Sequence, residues 1–338
     1  MIVTLREVAK AAGVHPSTAS RALNARTRHL VNQEVAARVM ALAEQLDYRP
    51  DAAASALRSG RSRLVGTLVP GIANPVFAPI LAGAAEVLRR GGMSLIVADT
   101  GLDSDAALEL VQELAARRVD GLLLATTLRQ PDPSIELARL RNIPVVLINR
   151  GLPEIDSVMP DNVAGVELAL RHLCGLGHRR IGYLSGFANA VAGTGRRETF
   201  IRRMQAAGLA ADLVQETHHF DRAGGRAGAL ALLARAPDMT ALVCGNDLIA
   251  TGAYDAAREL GLSIPGQLSV TGFNDLPLMD LLAPALTSVR VDFHALGCRA
   301  AAILLEQLER RGFDQAPPVM EYMPAELMVR GSTARPPA

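Results

Sequence analysis

Apolar residues recur along this chain at two different periods, and the change between them divides it. In the first part Leu5, Val8, Ala9 and Ala12 stand at i, i+3, i+4 and i+7, one face of a short helix. Thr4 can cap that helix, with Glu7 three positions on closing a capping box. Gly13 suits the tight turn that follows, because glycine takes positive φ at no steric cost. Pro16 fits the first turn of a second helix, where its missing N–H is an orphan anyway. Ala19, Ala22 and Leu23 give that helix an apolar seam and leave Pro16, Ser17, Thr18 and Arg21 mostly outward. A third helix is predicted over 32–46, capped by Asn32, with Val35, Val39, Leu42 and Leu46 inward. From Leu64 the pattern becomes short apolar runs, at 64–69, 94–98, 121–124, 144–148, 181–184, 241–244, 268–272 and 287–291. Helical stretches separate most of them, at 77–90, 105–117, 163–176, 197–207, 225–234 and 248–260. Strand-then-helix repetition predicts parallel sheets covered on both faces. Residues 64–160 and 161–290 read as two similar halves, followed by a helix at 294–311 and a segment at 319–329.

Two short helices meeting at a glycine turn, with the small Ala9 and Ala19 where they touch, read as a helix-turn-helix. The second helix of such a pair enters the DNA major groove. Arg21 is the side chain suited to reading a base, since its fork matches the guanine acceptor pair. Ser17, Thr18 and Ser20 suit short contacts to phosphates or base edges. Charge placement agrees with this. Residues 1–63 hold ten Lys/Arg against five Asp/Glu, and the remaining 275 hold 25 against 29, so a polyanionic partner belongs at the N-terminus.

Residues 4–24 resemble the DNA-binding headpiece of the lactose-repressor/galactose-repressor (LacI/GalR) family of bacterial regulators, and the likeness continues along essentially the whole chain. The resemblance implies DNA contacts from Thr4, His15, Pro16, Ser17, Thr18, Ser20, Arg21 and Asn24, with Ala54 and Leu57 in a hinge. Family members usually carry glycine just past the third helix. Here it is Asp47, which tolerates the left-handed conformation less easily, so mild strain is expected. The stretch from Tyr48 to Gly60 resembles the family hinge, a segment too short to be a stable helix alone. In the family reading it orders when two protomers meet on the operator, and Leu57 wedges into the minor groove and kinks it. A plain flexible linker is the other reading of the same residues. The family also implies three crossings of the chain between two Rossmann-like lobes around a cleft. The fold expected is thus an all-α helix-turn-helix headpiece plus an α/β two-lobed core like that of periplasmic binding proteins. Its parts would be a DNA-binding domain at 1–48 and a hinge at 49–62. An N-terminal lobe would come from 63–160 with 292–321, a C-terminal lobe from 161–291 with 322–331, and a disordered tail from 332–338.

In open parallel sheets ligands bind outside the carboxyl ends of the strands. The residues there are Asn74-Pro-Val-Phe77, Asn149-Arg150, Asp161-Asn162, Asn246-Asp247 and Phe273-Asn-Asp275, each resembling a family motif at the corresponding place. Asp161-Asn162 and Asn246-Asp247 can equally cap the helices that follow, and Phe273 can equally be core. Arg196, four before Phe200, matches the arginine that clamps the effector in many members. Phe220 and Phe293 match aromatic positions that pack on ligand rings. The effector-binding candidates are therefore Phe77, Asn149, Arg150, Arg196, Phe220, Asn246, Asn274 and Phe293. Members that bind neutral sugars often carry aspartates where this chain has Asn149 and Asn274. With Arg150, Arg196 and Arg197 close in sequence, the cleft reads as one for a carboxylate or phosphate, such as a sugar acid or phosphosugar.

Composition narrows the alternatives. No run approaches the ~18 continuous apolar residues of a membrane span, and no apolar signal-peptide region opens the chain, so a cytoplasmic protein without a membrane partner is expected. Cys174, Cys244 and Cys298 are odd in number and match no paired metal spacing; they read as reduced thiols, with no metal and no cofactor. There is no Walker loop, nucleophile elbow or His-Glu-x-x-His. The Gly224-Gly-Arg-Ala-Gly228 run does not follow a strand as a dinucleotide fingerprint would, and His218-His219 has no metal partner nearby in sequence. An enzyme is not expected. The chain reads as a sequence-specific transcriptional regulator, a repressor, that binds a pseudo-palindromic operator as a homodimer and answers to a small-molecule effector. Only 331–338 follows the last predicted strand, too little for the C-terminal heptad helix of tetrameric relatives. The alternative is a solute-binding protein with the same two-lobed core, which would have no use for residues 1–60.

Overall fold

A computed structural model describes residues 3–24, 27–49, 61–101, 103–126, 132–186, 191–217, 219–310 and 317–337, with the backbone alone for 191–194. Residues 50–60 of the hinge, with Ala54 and Leu57, and His218 lie outside these residues. The chain divides into two units, Met1–Ser62 and Arg63–Ala338.

The first unit contains α1 (Leu5–Ala11), α2 (Pro16–Leu23), a single 3₁₀ turn (Arg28–Leu30) and α3 (Gln33–Gln45). The capping box forms as expected: the Thr4 N–H donates to Glu7 Oε2 at 2.7 Å. Hydrogen bonds from Gly13 N–H to Lys10 O and from Val14 N–H to Ala9 O close α1, with Gly13 at φ +64°. The core is built of small side chains, Val8, Ala9, Ala12, Ala19, Ala22, Ala36, Val39 and Ala43, which lets three short helices approach closely. Val35, Leu42 and Leu46, expected inward, are half-buried around it, and Ala36 and Ala43 hold the centre of α3. The end of α3 repeats the α1 closure, with Asp47 N–H to Glu44 O and Tyr48 N–H to Ala43 O, but places Asp47 at φ +46°. A non-glycine residue in this region costs roughly 1–2 kcal/mol, of which the added freedom of an unfolded glycine would return about 0.4–1. Asp47→Gly is expected to raise the melting temperature of the first unit by about 2–8 °C in a thermal unfolding experiment; an unchanged or lower value would mean that no strain is stored there.

The second unit holds two six-stranded sheets. The first is assembled from β1 (Leu64–Val69), β2 (Ser94–Asp99), β3 (Gly121–Leu124), β4 (Val145–Ile148), β5 (Ser157–Pro160) and β11 (Met320–Met323) in the order β11-β5-β4-β3-β1-β2, all parallel. Its helices are α4 (Phe77–Arg90), α5 (Ser104–Ala116), α6 (Pro133–Leu140) and α11 (Phe293–Glu309). Successive strand residues serve opposite faces. Leu123 packs with Ile80 and Leu304, whereas Leu122 and Leu124 pack with Val111, Leu114 and Ile135. The second sheet contains β6 (Ile181–Ser185), β7 (Val214–Glu216), β8 (Ala241–Cys244), β9 (Ser269–Asn274), β10 (Thr287–Val291) and β12 (Ala325–Met328). Its order is β12-β10-β9-β8-β6-β7, with β12 alone antiparallel to its neighbour. It is covered by α7 (Asn162–Leu176), α8 (Val191–Ala206), α9 (Arg222–Arg235) and α10 (Asp247–Glu259). The chain passes between the sheets after β5, after β10, and between β11 and β12, the last at Pro324. The Gly224–Gly228 run lies inside α9.

Residues 332–338 were expected to be a disordered tail, and the structure overturns that for their first part. Ser332 is fully buried; its Oγ accepts from Thr287 N–H at 2.8 Å and donates to Val270 O at 2.6 Å. Buried His178 reaches Thr240 Oγ1 and Ala334 O, each at 2.8 Å. The segment supplies small polar groups that satisfy buried backbone at the foot of the second sheet. Ser332→Ala leaves one buried N–H and one carbonyl without this partner, so it is expected to cost about 1–3 kcal/mol. The change would appear as a lowered denaturant midpoint at unchanged slope; an unaltered midpoint would return the segment to the status of a loose tail.

Candidate functional site

In the first unit, α2 presents an outward strip. Ser17 and Arg21 are exposed one turn apart, Pro16, Thr18 and Ser20 are half-exposed, and Ala19 and Ala22 are buried beneath. Among the described residues the Arg21 guanidinium makes no hydrogen bond, so its fork is available to an external acceptor pair. His15, exposed, is the N-cap of α2: its Nδ1 accepts from Ser17 N–H at 3.3 Å and lies 2.8 Å from Ser17 Oγ. A backbone N–H can only donate, so Nδ1 is the acceptor of this cap. This cap was not legible from residue type, because histidine is not a usual capping residue; its place just before Pro16 at N1 was the signal. Thr4 is exposed but its N–H and hydroxyl are turned to Glu7. Asn24 closes α2, its N–H donating to Arg21 O. The remaining basic side chains are partly structural, with Arg28 Nε donating to Ala22 O and Arg38 Nε to Ala12 O.

In the second unit the parallel order brings the ligand candidates to the carboxyl ends of the two sheets. On the first sheet, Phe77 opens α4 and is buried, and Asn149 and Arg150 leave β4. Asn149 takes φ +61°, and its Oδ1 is shielded from solvent without a hydrogen-bond partner among the described residues. Arg150 is buried, and desolvation lowers its pKa to about 10 against the opposing pull of Asp132, the cap of α6. It remains a cation at neutral pH.

On the second sheet Arg196 is held with more detail. Phe200, one helical turn later, is fully buried and stacks on Tyr183 at 5.0 Å, which fixes this part of α8. The Arg196 guanidinium is thereby laid over the Phe273 ring, 3.7 Å from its centroid. Its Nε donates to Asn162 Oδ1 at 2.7 Å and its Nη1 to Gly245 O at 2.6 Å. Arg196 is 6% exposed, and burial lowers its pKa to about 10, with Tyr183 and Asp247 acting the other way. Among the described residues no carboxylate forms an ion pair with it. Phe273, open between core and ligand wall in the sequence, is a buried platform beneath this cation. Arg197 faces elsewhere, 3.7 Å from Glu216.

The alternatives left open for the Asx pairs divide by position. Asp161 caps α7 through Ala164 N–H, and Asn246 caps α10 through Ile249 N–H, both at 2.8 Å. The Asn162 side chain orients Arg196, and Asp247 is an internal tie, accepting from Ser288 Oγ at 2.5 Å and Leu276 N–H at 2.7 Å. Burial pushes the Asp247 carboxyl up to about 7. Asn246 therefore has its amide N–H groups left for a ligand. Phe220 is half-buried before α9, its ring against Gly186. Asn274, at φ +109°, and Phe293 line one cavity of about 310 Å³ with Pro75, Pro79 and the Arg290–Asp275 ion pair. Arg150, Asn246 and Asn274 are thus buried at strand exits and Arg196 is buried on α8, an arrangement that can hold an oxygen-rich molecule. Among the described residues no helix is long and apolar enough to cross a membrane.

Comparison with known proteins agrees with both units. Residues 4–51 match the family described as bacterial regulatory proteins, lacI family, and residues 170–333 match a periplasmic binding protein-like domain. The HTH-type transcriptional regulator MalR of Streptomyces coelicolor is 34% identical over 349 aligned positions, covering 100% of this chain and 98% of MalR. The ribose operon repressor of Haemophilus influenzae is 31% identical, covering 91% of this chain and 92% of its own length. A crystal structure of the lac repressor dimer bound to operator and the anti-inducer ONPF superimposes with a TM-score of 0.90 at 26% identity, over 99% of this chain and 100% of that one.

Proposed function

This chain belongs to the lacI family of bacterial regulatory proteins, and from that premise we propose how its own residues carry out regulation. It is a DNA-binding transcriptional regulator that works as a homodimer on operator DNA under the control of a small-molecule effector. Two copies of α2, each with Arg21 as the base-reading side chain, occupy the two half-sites. The hinge residues Ala54 and Leu57 engage the minor groove between them. The effector sits between the lobes, against Arg196, Arg150, Asn149, Asn246 and Asn274, with Phe77, Phe220 and Phe293 on its apolar sides. No catalytic step is part of this reading, and the protein works in the cytoplasm with the DNA it binds.

The effector is of the sugar class and carries a carboxylate or phosphate. The observation that supports this is Arg196: a buried cation, fixed by two hydrogen bonds and an aromatic platform, that forms no ion pair with a carboxylate among the described residues, Asp247 acting on it without contact. A buried charge without a counter-ion is costly, and an anionic ligand would remove that cost. A neutral sugar is the second reading, favoured by the ribose operon repressor among the relatives. Isothermal titration of the dimer with matched pairs of neutral and acidic sugars separates the two. Tighter binding of the acid is expected, and tighter binding of the neutral member would overturn the anionic reading. Selection of symmetric duplexes from randomised DNA supplies the operator, and by linkage each effector found must shift operator affinity by the factor that operator shifts effector affinity, typically about 5–150-fold.

A further inference from the structure

The first-sheet lobe holds a cluster of side chains that are not among the effector candidates, although one of them, His294, also lines the cavity of Asn274 and Phe293. α4 and α11 cross at Gly83 and Gly297, where a Cβ on Gly83 would lie 2.1 Å from His294 O and one on Gly297 1.9 Å from Ile80 O. This backbone-to-backbone approach draws in side chains that would otherwise stand apart. His294 and Cys298 are at i and i+4, on one face of α11, and Glu86 meets them from α4. The His294 Nε2 is 3.4 Å from Glu86 Oε2, and Cys298 Sγ is 3.7 Å from His294 Nδ1. One ligand atom from each of the three lies within 4.8 Å of the others, and no second such group of three occurs among the described residues.

We propose that Glu86, His294 and Cys298 form a site for a zinc-like divalent ion. A thiolate, an imidazole and a carboxylate are the donors Zn²⁺ takes, at about 2.3, 2.0–2.1 and 2.0–2.2 Å, which sets ligand atoms about 3.3–3.6 Å apart around a tetrahedral ion. One atom from each residue now lies within 4.8 Å of the others, and the contacts at 3.4 and 3.7 Å run to opposite ring nitrogens, so the ring must turn to close the set around an ion. The imidazole turns so that one nitrogen faces both the sulfur and the carboxylate, and half-exposed His294 has room to do so. Cys298, whose Sγ–H now points to Gly83 O at 3.5 Å, gives up its proton to solvent as the thiolate binds. Arg90 holds the other carboxylate oxygen of Glu86 at 2.7 Å and orients it from outside. Three protein ligands leave the fourth position to water. An ion here clips α4 to α11 one residue from Phe293.

Cobalt(II) is the probe, added to the full-length dimer after reduction and chelator stripping. The expected result is one Co²⁺ per chain with a thiolate-to-metal charge-transfer band that Zn²⁺ displaces, that Cys174→Ser retains and that Cys298→Ser loses. His294→Gln and Glu86→Gln should each weaken Co²⁺ at least about tenfold. In the unaltered protein, Zn²⁺ should slow alkylation of Cys298, read by peptide mass, which keeps the test independent of how any variant folds. Absence of the band, its survival in Cys298→Ser, full affinity in both Gln variants, or alkylation of Cys298 indifferent to Zn²⁺ would each overturn the site.

Discussion

Arg196→Leu is expected to lower effector affinity by about 2–5 kcal/mol, roughly 30- to 5,000-fold, which is the cost of removing one partner of a buried charge-assisted contact. Operator affinity without effector should stay within a few-fold, because the first unit has its own core. The Arg196 guanidinium is held in place before a ligand arrives. Asn162 Oδ1 and Gly245 O take two of its N–H groups, and the Phe273 ring fixes its plane, so a ligand meets a donor fork already oriented. Leucine fills part of the volume but leaves those two acceptors unpartnered, which adds about 1–3 kcal/mol of instability for each one that stays buried. Arg196→Lys separates the two effects. It keeps a charge near the ring and loses the fork, so effector affinity should fall by a smaller factor while the fold is largely kept. Titration calorimetry for effector and gel shift for operator measure both; wild-type effector affinity in the leucine variant would remove Arg196 from the site.

Much of the first unit was legible because local rules agreed there: the Thr4–Glu7 box, Gly13 at the turn and Pro16 at N1 all marked the same boundaries. Long apolar runs such as 64–69 gave the buried parallel strands. What was missed was short or distant. β5, Ser157–Pro160, opens on serine and closes on proline, and β7, Val214–Glu216, has one apolar residue in three, so neither reads as an apolar run, and α6 was hidden although Asp132-Pro133 carries the cap and first-turn signals. The last residues looked like tail by composition, since nothing local tells that Ser332 meets Thr287 and Val270. At the candidate ligand site, strand exits named the residues, but only the fold could separate a capping Asn246 from an orienting Asn162. The Glu86, His294 and Cys298 group escaped a search for paired cysteine spacings because its third member comes from another helix.

Arg21→Ala is expected to weaken binding to a symmetric operator by about 2–6 kcal/mol, since each half-site loses a base contact of about 1–3 kcal/mol and the dimer makes two. The exposed side chain has no partner among the described residues and the seam beneath it is Ala19 and Ala22, so the headpiece should melt at an unchanged temperature. That separates Arg21 from Arg28 and Arg38, whose Nε groups bond Ala22 O and Ala12 O and whose loss would loosen the fold instead. Specificity decides the role. If Arg21 reads guanine, duplexes selected by the variant lose their preference at one base pair in each half-site, while affinity for random DNA falls little. If it contacts phosphate, specific and random duplexes weaken together and the salt slope drops by about one per protomer. Selection from randomised DNA, with binding curves at several salt concentrations, distinguishes these, and the second outcome would move base reading from Arg21 to the shorter side chains of α2.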